Sequence, residues 1–457
     1  MNRKVLEDLL TYAISTGADF AEIYIEKSTQ TVYKVFDSKL DTISTSNSKG
    51  VGVRISKDDE IYYASTNDIN KNKIKELISN IIGNIKGSSN RQVKLSRKKS
   101  VYPKIIQQHK EVPIEEKKAK LLEYDSIARK QSELITQVST SFYEIDKNFT
   151  IANSNGKYVS SSEVLTRAIA NIYAEKNNEK ESQYTYYGAA KGYELLNDID
   201  FPSYIIKAAK TAVEKLDAKD FKGGQLPVVI NHGFGAVIFH EACGHGLEAT
   251  SVATKSSVFS DDLGKKIASE KVTLIDDGTI EGSWGTNIFD DEGEKTQKNI
   301  LIENGILKSY LVDSLNSNKM NHVSNGCSRR ASYQYAPTSR MSNTYLAPGN
   351  DSIEDMIKSI KLGVYCEGMS GGVVQPTTGD FNFAVETAWL IENGKISHRI
   401  KGITLIGNSK EILKNVEMVS SDLKIESGFC GSKSGIIPVT IGQPTIKISS
   451  ILVGGKE

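Results

Sequence analysis

His240, Glu241 and His245 are the residues of this chain whose types and spacing point most directly to chemistry. The 457 residues hold six histidines and 56 acidic side chains. A histidine followed by an acid, with a second histidine five places on, therefore arises by chance in about one such chain in a hundred. Neutral imidazoles are good ligands for a tetrahedral cation, and a carboxylate beside the first histidine can take the proton of a water that the cation acidifies. Histidines four residues apart share one face of an α-helix, whereas five residues turn through about 500° and leave the side chains about 140° apart. A regular helix therefore fails as a chelate. The extra residue must be absorbed by a π-type bulge or a helix break, for which Gly244 and Gly246 supply backbone freedom. A wide turn between His240 and His245 is expected.

Two imidazoles leave an open catalytic zinc one protein ligand short. Cys430 is the first candidate, because the small residues of the loop 427–435 let a thiolate approach a metal closely. Other side chains stay in contention. Cys243 lies inside the motif, but on a helix it points away from His240. Cys327, near Arg329 and Arg330, reads equally well as a low-pKa thiol, and His232 and His322 can ligate or orient a substrate. The four cysteines are widely spaced and form no CxxC pair, so neither a disulfide framework nor a zinc ribbon is expected.

Strand-like Leu226–Asn231 leads through Gly233 and Gly235 into an apolar helix that carries the motif. From about residue 222 onward, short strands and glycine-rich turns dominate, with two hairpins closed by Asn304-Gly305 and Asn393-Gly394. Upstream, a helix over 4–16, strands at 21–26, 31–36, 50–55 and 61–65, and a helix through Ile74–Ile82 capped by Asn67 or Asp68 form one unit. After a polar connector, Pro113 opens a helix, a second meander runs from Ile135 to Tyr187, and a helix follows Pro202. The fold class expected is α+β. Two helix-plus-antiparallel-meander units (1–87 and 113–221, joined by 88–112) precede a mostly antiparallel, barrel-like domain over 222–457 with the zinc-site helix embedded in it.

Composition narrows the function classes. With 57 basic against 56 acidic residues, net charge is +1, so no global field draws in nucleic acid, and Arg97-Lys98-Lys99 reads as a solvated face. No apolar run approaches the ~18 residues of a membrane helix, and Glu7 and Asp8 stand where a signal peptide would be apolar. A cytoplasmic protein without membrane or nucleic-acid partners is expected. Asp290, Asp291 and Glu292 precede a hairpin and read as a turn or charged rim rather than a second metal site.

The chain resembles the TldD/PmbA metalloproteases, specifically the catalytic TldD type. The matching segments are His240–Glu248, Asp290–Gly293, Val312-Asp313, Arg329-Arg330, Arg340–Tyr345, the Asn-Gly hairpins, Cys430-Gly431 and Val439–Pro444. The likeness is strong over residues 224–457 and looser over the first 220. It implies zinc held by His240, His245 and Cys430, Glu241 as general base, and cleavage of unfolded peptides in a narrow channel. It also implies a dimer, either of identical chains or with a PmbA (TldE) paralogue that lacks the zinc motif. Two positions depart from the family pattern: Cys243 stands for an aliphatic residue and Thr250 for an acid.

On this reading Glu241 accepts a proton from the attacking water and returns it to the leaving amine. His322 and Arg340 are the candidates for substrate binding and oxyanion stabilisation. A peptide adding as an extra strand to a sheet edge would be gripped through its main chain, which folded proteins cannot offer. The rivals are a non-catalytic peptide-binding scaffold or regulator with a structural zinc, and a thiol redox protein. A closed fourth metal ligand would favour the structural zinc, and a second cysteine near Cys430 the redox protein.

Overall fold

The computed structural model describes residues 1–58, 60–83, 85–96 and 100–455. The Arg97–Lys99 cluster lies outside the described residues.

The two N-terminal meanders merge into one antiparallel sheet of six strands, in the order Glu60–Thr66, Lys39–Lys57, Phe20–Phe36, Ile135–Asn153, Tyr158–Lys176, Glu179–Ala189. Phe20–Phe36 is the seam, pairing with Lys39–Lys57 on one side and with Ile135–Asn153 on the other, from Glu22 opposite Asn153 to Phe36 opposite Ser139. Its 17 residues run unbroken where two short strands are expected from alternation. The reason is that each end of the sheet serves a different core. Helices Arg3–Ile14 and Lys71–Ile82 cover one end, burying Leu6, Leu10, Ile74 and Ile78 against Val53 and Ile55. Helices Ile114–Arg129 and Phe201–Lys215 cover the other, with Leu121, Tyr124, Phe201 and Ile205 against Phe142. Between them the ladder continues through polar Lys27–Gln30, because backbone pairing needs no apolar side chain. Helix Lys71–Ile82 is capped by Asn70, not by Asn67 or Asp68, since the Asp68 carboxylate accepts the Asn70 N–H at 2.9 Å.

The C-terminal body contains a closed barrel. Leu362–Val374, Gly223–Ile230, Ile446–Gly454, Thr404–Asn408 and Asp380–Glu392 pair in that order, and the last returns to the first. The ring is antiparallel except where Leu362–Val374 meets Gly223–Ile230. A second sheet of six strands runs Ile306–Leu307, Lys298–Glu303, Leu274–Asp277, Asn343–Leu346, Gly435–Gln443, Lys424–Ser432. Both Asn-Gly turns close hairpins, with φ positive at Asn304, Gly305, Asn393 and Gly394. The segment carrying the histidines is wedged between barrel and second sheet: Ile238, Phe239, Ala242 and Leu247 share one core with Ile230, Phe383, Leu274 and Ile441.

Asp290–Glu292 does form a turn, but it is no charged rim: the three side chains are 2%, 6% and 2% exposed. Glu292 pairs with Arg54 at 2.6 Å, Arg54 also meets Glu22 at 2.9 Å, and Glu22 pairs with Arg330 at 2.6 Å. Arg330 in turn donates to the Asp291 carbonyl at 2.7 Å. Two strands of the first sheet are thus tied to the C-terminal body by buried charge. Charged residue types read as surface, and only the assembled fold supplies the partners that permit their burial.

Candidate metal centre

The backbone from Gly233 onward sets the first two side chains. Gly233 adopts φ 82°, and Phe234 donates its N–H to Glu426 at 2.8 Å, which fixes the entry to the helix. Val237–Phe239 is α-helical, and His240–Gly244 then widens into a π-helical turn. This is the wide turn that the five-residue spacing demands. It brings the two imidazoles to one side, with ring centroids 5.1 Å apart and planes at 83°. Gly244 is required there, because a Cβ would overlap the sulfur of Met341.

Cys430 arrives from the strand Lys424–Ser432, opposite Ile437, rather than from a loop. Glycine and serine read as loop by composition, yet here Gly428 and Gly431 sit within a hairpin ladder. The Cys430 Sγ lies 3.2 Å from Nε2 of His240 and 3.2 Å from Nε2 of His245. The three donor atoms lie within 4.8 Å of one another. Donors around a tetrahedral zinc are separated by about 3.3–3.6 Å, given Zn–N and Zn–S bonds of about 2.0–2.3 Å. Soft sulfur and two imidazoles at this separation fit that ion.

Neighbouring groups complete the centre. Glu241 places its carboxylate oxygens 4.0 Å from Nε2 of His240 and 3.7 Å from Nε2 of His245, with a quarter of the side chain exposed. Glu248 lies 3.2 Å from Nδ1 of His245. Arg340, with no exposed surface, donates to the Cys430 carbonyl at 2.7 Å, to Ser434 Oγ at 2.9 Å and to the Gly435 carbonyl at 3.1 Å. Its Nε lies 3.8 Å from Glu248. Arg340 thus clamps the strand that carries the thiol. The Nδ1 of His240 is buried without a hydrogen-bond partner among the described residues.

Electrostatics favour positive charge between these groups. Burial alone would raise the Cys430 thiol, but the imidazoles of His240 and His245 outweigh it and hold the pKa down at about 3. At His245 burial opposes protonation, yet Glu248 and Cys430 prevail and lift the imidazole well above its ordinary value. Protons stabilised in this way occupy a place where a cation would be welcome.

The remaining candidates make contacts of their own. Burial pushes the Cys243, Cys327 and Cys366 thiols up, so all three are neutral core residues, unlike Cys430. His232 contacts Asp422 at 2.8 Å. His322 contacts the Met320 carbonyl at 2.8 Å and lies against Tyr310. Thr250 satisfies itself on Ser339, through its N–H at 2.9 Å and its hydroxyl at 2.8 Å. Glu248 is the residue that sequence reasoning passed over. It falls inside the matched segment, three residues after His245, where i,i+3 neighbours meet on a helical turn.

Comparison with known proteins finds matches along most of the chain. Models for the PmbA/TldA metallopeptidases match in three parts: domain 1 over residues 21–85, the central domain over 108–216 and the C-terminal domain over 223–455. A metalloprotease TldD homolog of Buchnera aphidicola is 33% identical over 461 residues, covering 98% of this chain and 95% of that one. Another, from Haemophilus influenzae, is 33% identical over 450 residues and covers 96% and 93%. Among solved structures, TldE from Thermococcus kodakarensis superposes with a TM-score of 0.80 at 22% identity, over 99% of this chain and 100% of that one.

Proposed function

The chain belongs to the TldD/PmbA metallopeptidase family, and from that premise we propose that it is a zinc-dependent peptidase acting on extended, unfolded peptides. The observation that carries the proposal is the convergence of His240, His245 and Cys430 with the Glu241 carboxylate beside them. A bound zinc would polarise the peptide carbonyl and lower the pKa of a water.

The chain's own residues do the rest. His240, His245 and Cys430 would hold the ion, and Glu248, 3.2 Å from Nδ1 of His245, would keep that ring's proton on Nδ1 so that Nε2 is free to ligate. Glu241 takes the water's proton and returns it to the departing amine, one carboxylate serving as base and then as acid. Arg340 holds the thiolate strand in place by gripping its carbonyl and is assigned to positioning rather than to the peptide. Three donors gather among the described residues, the number expected of a catalytic rather than a structural zinc, which favours a peptidase over a structural clamp. Lys424–Ser432 is the terminal strand of its sheet, with Gly431 and Ser432 exposed beyond the thiol, and an extended peptide would pair beside it there. Folded proteins, with their backbone donors already paired, are excluded. The working unit is a dimer, with a second copy or a TldE-like paralogue, in the cytoplasm.

Glu241→Gln tests the assignment. The variant is expected to keep its zinc by elemental analysis and to lose ~10²–10⁴ in the rate of hydrolysis of an unstructured peptide. Undiminished turnover would remove Glu241 from this role.

A further inference from the structure

Some distance along the strand that carries Cys430, a cavity of about 270 Å³ opens between the first sheet and the barrel. Its walls include the rings of Tyr184, Tyr186, Tyr204 and Phe234 and the carboxylates of Glu386 and Glu426. Tyr184 and Tyr186 stack at 5.5 Å, and Phe234 meets Tyr186 edge-on at 5.9 Å. Side chains alternate along a strand, so Glu426, Gly428 and Cys430 share one face, and four residues separate Glu426 from the thiol by about 13 Å. The cavity and the metal centre therefore serve the same side of one strand. Phe234 joins them a second time, because it donates its N–H to the Glu426 carboxylate and opens the helical segment that leads to His240.

Among the described residues, Glu386 is the cavity carboxylate that has no ion pair. Glu426 is paired with Lys424 at 2.7 Å, Glu367 is paired with Lys207, and His232 is held by Asp422. Lys215, the cation nearest in effect to Glu386, is spent on the Ser182 carbonyl at 2.7 Å and Glu181 at 3.8 Å. Glu386 is left with a neutral donor, Gln183 Nε2, at 2.7 Å. The other amide atom of that side chain, Gln183 Oε1, is buried with no donor among the described residues. Burial without a paired cation pushes Glu386 up to about 7. A surplus of acceptors beside aromatic faces suits a ligand that only donates. These rings already receive cations, with Lys424 5.3 Å above Tyr204 and Arg167 4.4 Å above Tyr186.

We propose that this cavity is a subsite for a lysine or arginine side chain of the peptide substrate, about four residues from the bond being cut, with Glu386 as its counter-charge. The assignment rests on the peptidase reading for its register and on the cavity for its chemistry. A donor-only, positively charged tip meets Glu386 and Gln183, while its aliphatic stem lies along the tyrosine rings.

The test uses unstructured decapeptides, acetylated and amidated at their ends, with a single lysine walked along the chain and norleucine twins as controls. Binding to zinc-loaded Glu241→Gln protein, read by fluorescence anisotropy, is expected to favour lysine roughly tenfold at one position. Mass spectrometry of the same peptides cut by the wild-type protein should place that lysine about four residues from the broken bond. Glu386→Gln should bring the binding ratio to within about twofold, and Glu386→Lys should turn the preference toward glutamate. Equal binding of lysine and norleucine peptides at every position overturns the subsite, as does an unchanged ratio in both variants when circular dichroism shows them folded. Peptides with a free amino terminus separate a second source of the same charge: preference that follows the terminal ammonium instead of the side chain also overturns it. Discrimination in binding without any cleavage would sink the peptidase and leave the subsite, whereas cleavage indifferent to lysine would do the reverse.

Discussion

A single carboxylate, Glu248, decides which nitrogen of His245 faces the thiolate, since it occupies the Nδ1 side at 3.2 Å. Removing that charge while keeping the shape, Glu248→Gln, is expected to weaken zinc binding about 10–100-fold in a chelator competition. Cys430→Ala should go further and abolish stoichiometric zinc, and unchanged metal content would refute its place among the ligands. At this scale much was legible. The spacing of His240 and His245 forces a non-standard turn whatever surrounds it, because the geometry of a helix is fixed. Cys430 was less so, since its partners lie 190 and 185 residues away and small neighbours alone do not distinguish loop from strand. The role of Arg340 was illegible, because a guanidinium with no exposed surface is recognisable only once the carbonyls around it are in place.

Elements hold these residues through close approaches that particular side chains allow. Gly244→Ala would drive a methyl into Met341, so it should cost about 1–3 kcal/mol and lower zinc occupancy together. Adding Met341→Ala should restore part of both, a thermal melt and a metal assay being the checks. Asp422 ties three elements at once. It accepts the Thr445 N–H at 2.7 Å and the Thr445 hydroxyl at 2.7 Å, bonds Ser420, and holds His232 at 2.8 Å ahead of the histidine helix. Burial would raise its pKa, but these hydrogen bonds prevail and depress it to about 2. A depressed folded-state pKa contributes stability that is fully present above the unfolded value of about 4 and is lost as pH falls toward about 2. Asp422→Asn should therefore flatten the decline of the melting temperature between about pH 5 and pH 2. The Asn-Gly turns were legible as hairpins because the dipeptide itself selects the backbone conformation, whereas the long strands were not, because Lys27–Gln30 carry no alternation to read.

Across the whole molecule, the buried charges Glu22, Arg54, Glu292 and Arg330 join the first sheet to the C-terminal body. Arg330→Met would leave Glu22 short of one partner in a dry site and is expected to cost about 3–5 kcal/mol in denaturant titration. A loss below about 1 kcal/mol would show that the pair is idle. That the two meanders share a sheet was hidden from the sequence, because pairing between residues more than a hundred positions apart leaves no local mark. The same seam governs how the protein is made. Strand Phe20–Phe36 can pair early with Lys39–Lys57 but cannot complete its second ladder until residue 153 has left the ribosome, so for much of translation it exposes an open hydrogen-bonding margin on that side, with Ile23 and Val35 in the strand. Newly made chains are accordingly most prone to clump between the first and the fourth strand, and synthesis slowed within that interval should raise the need for chaperones.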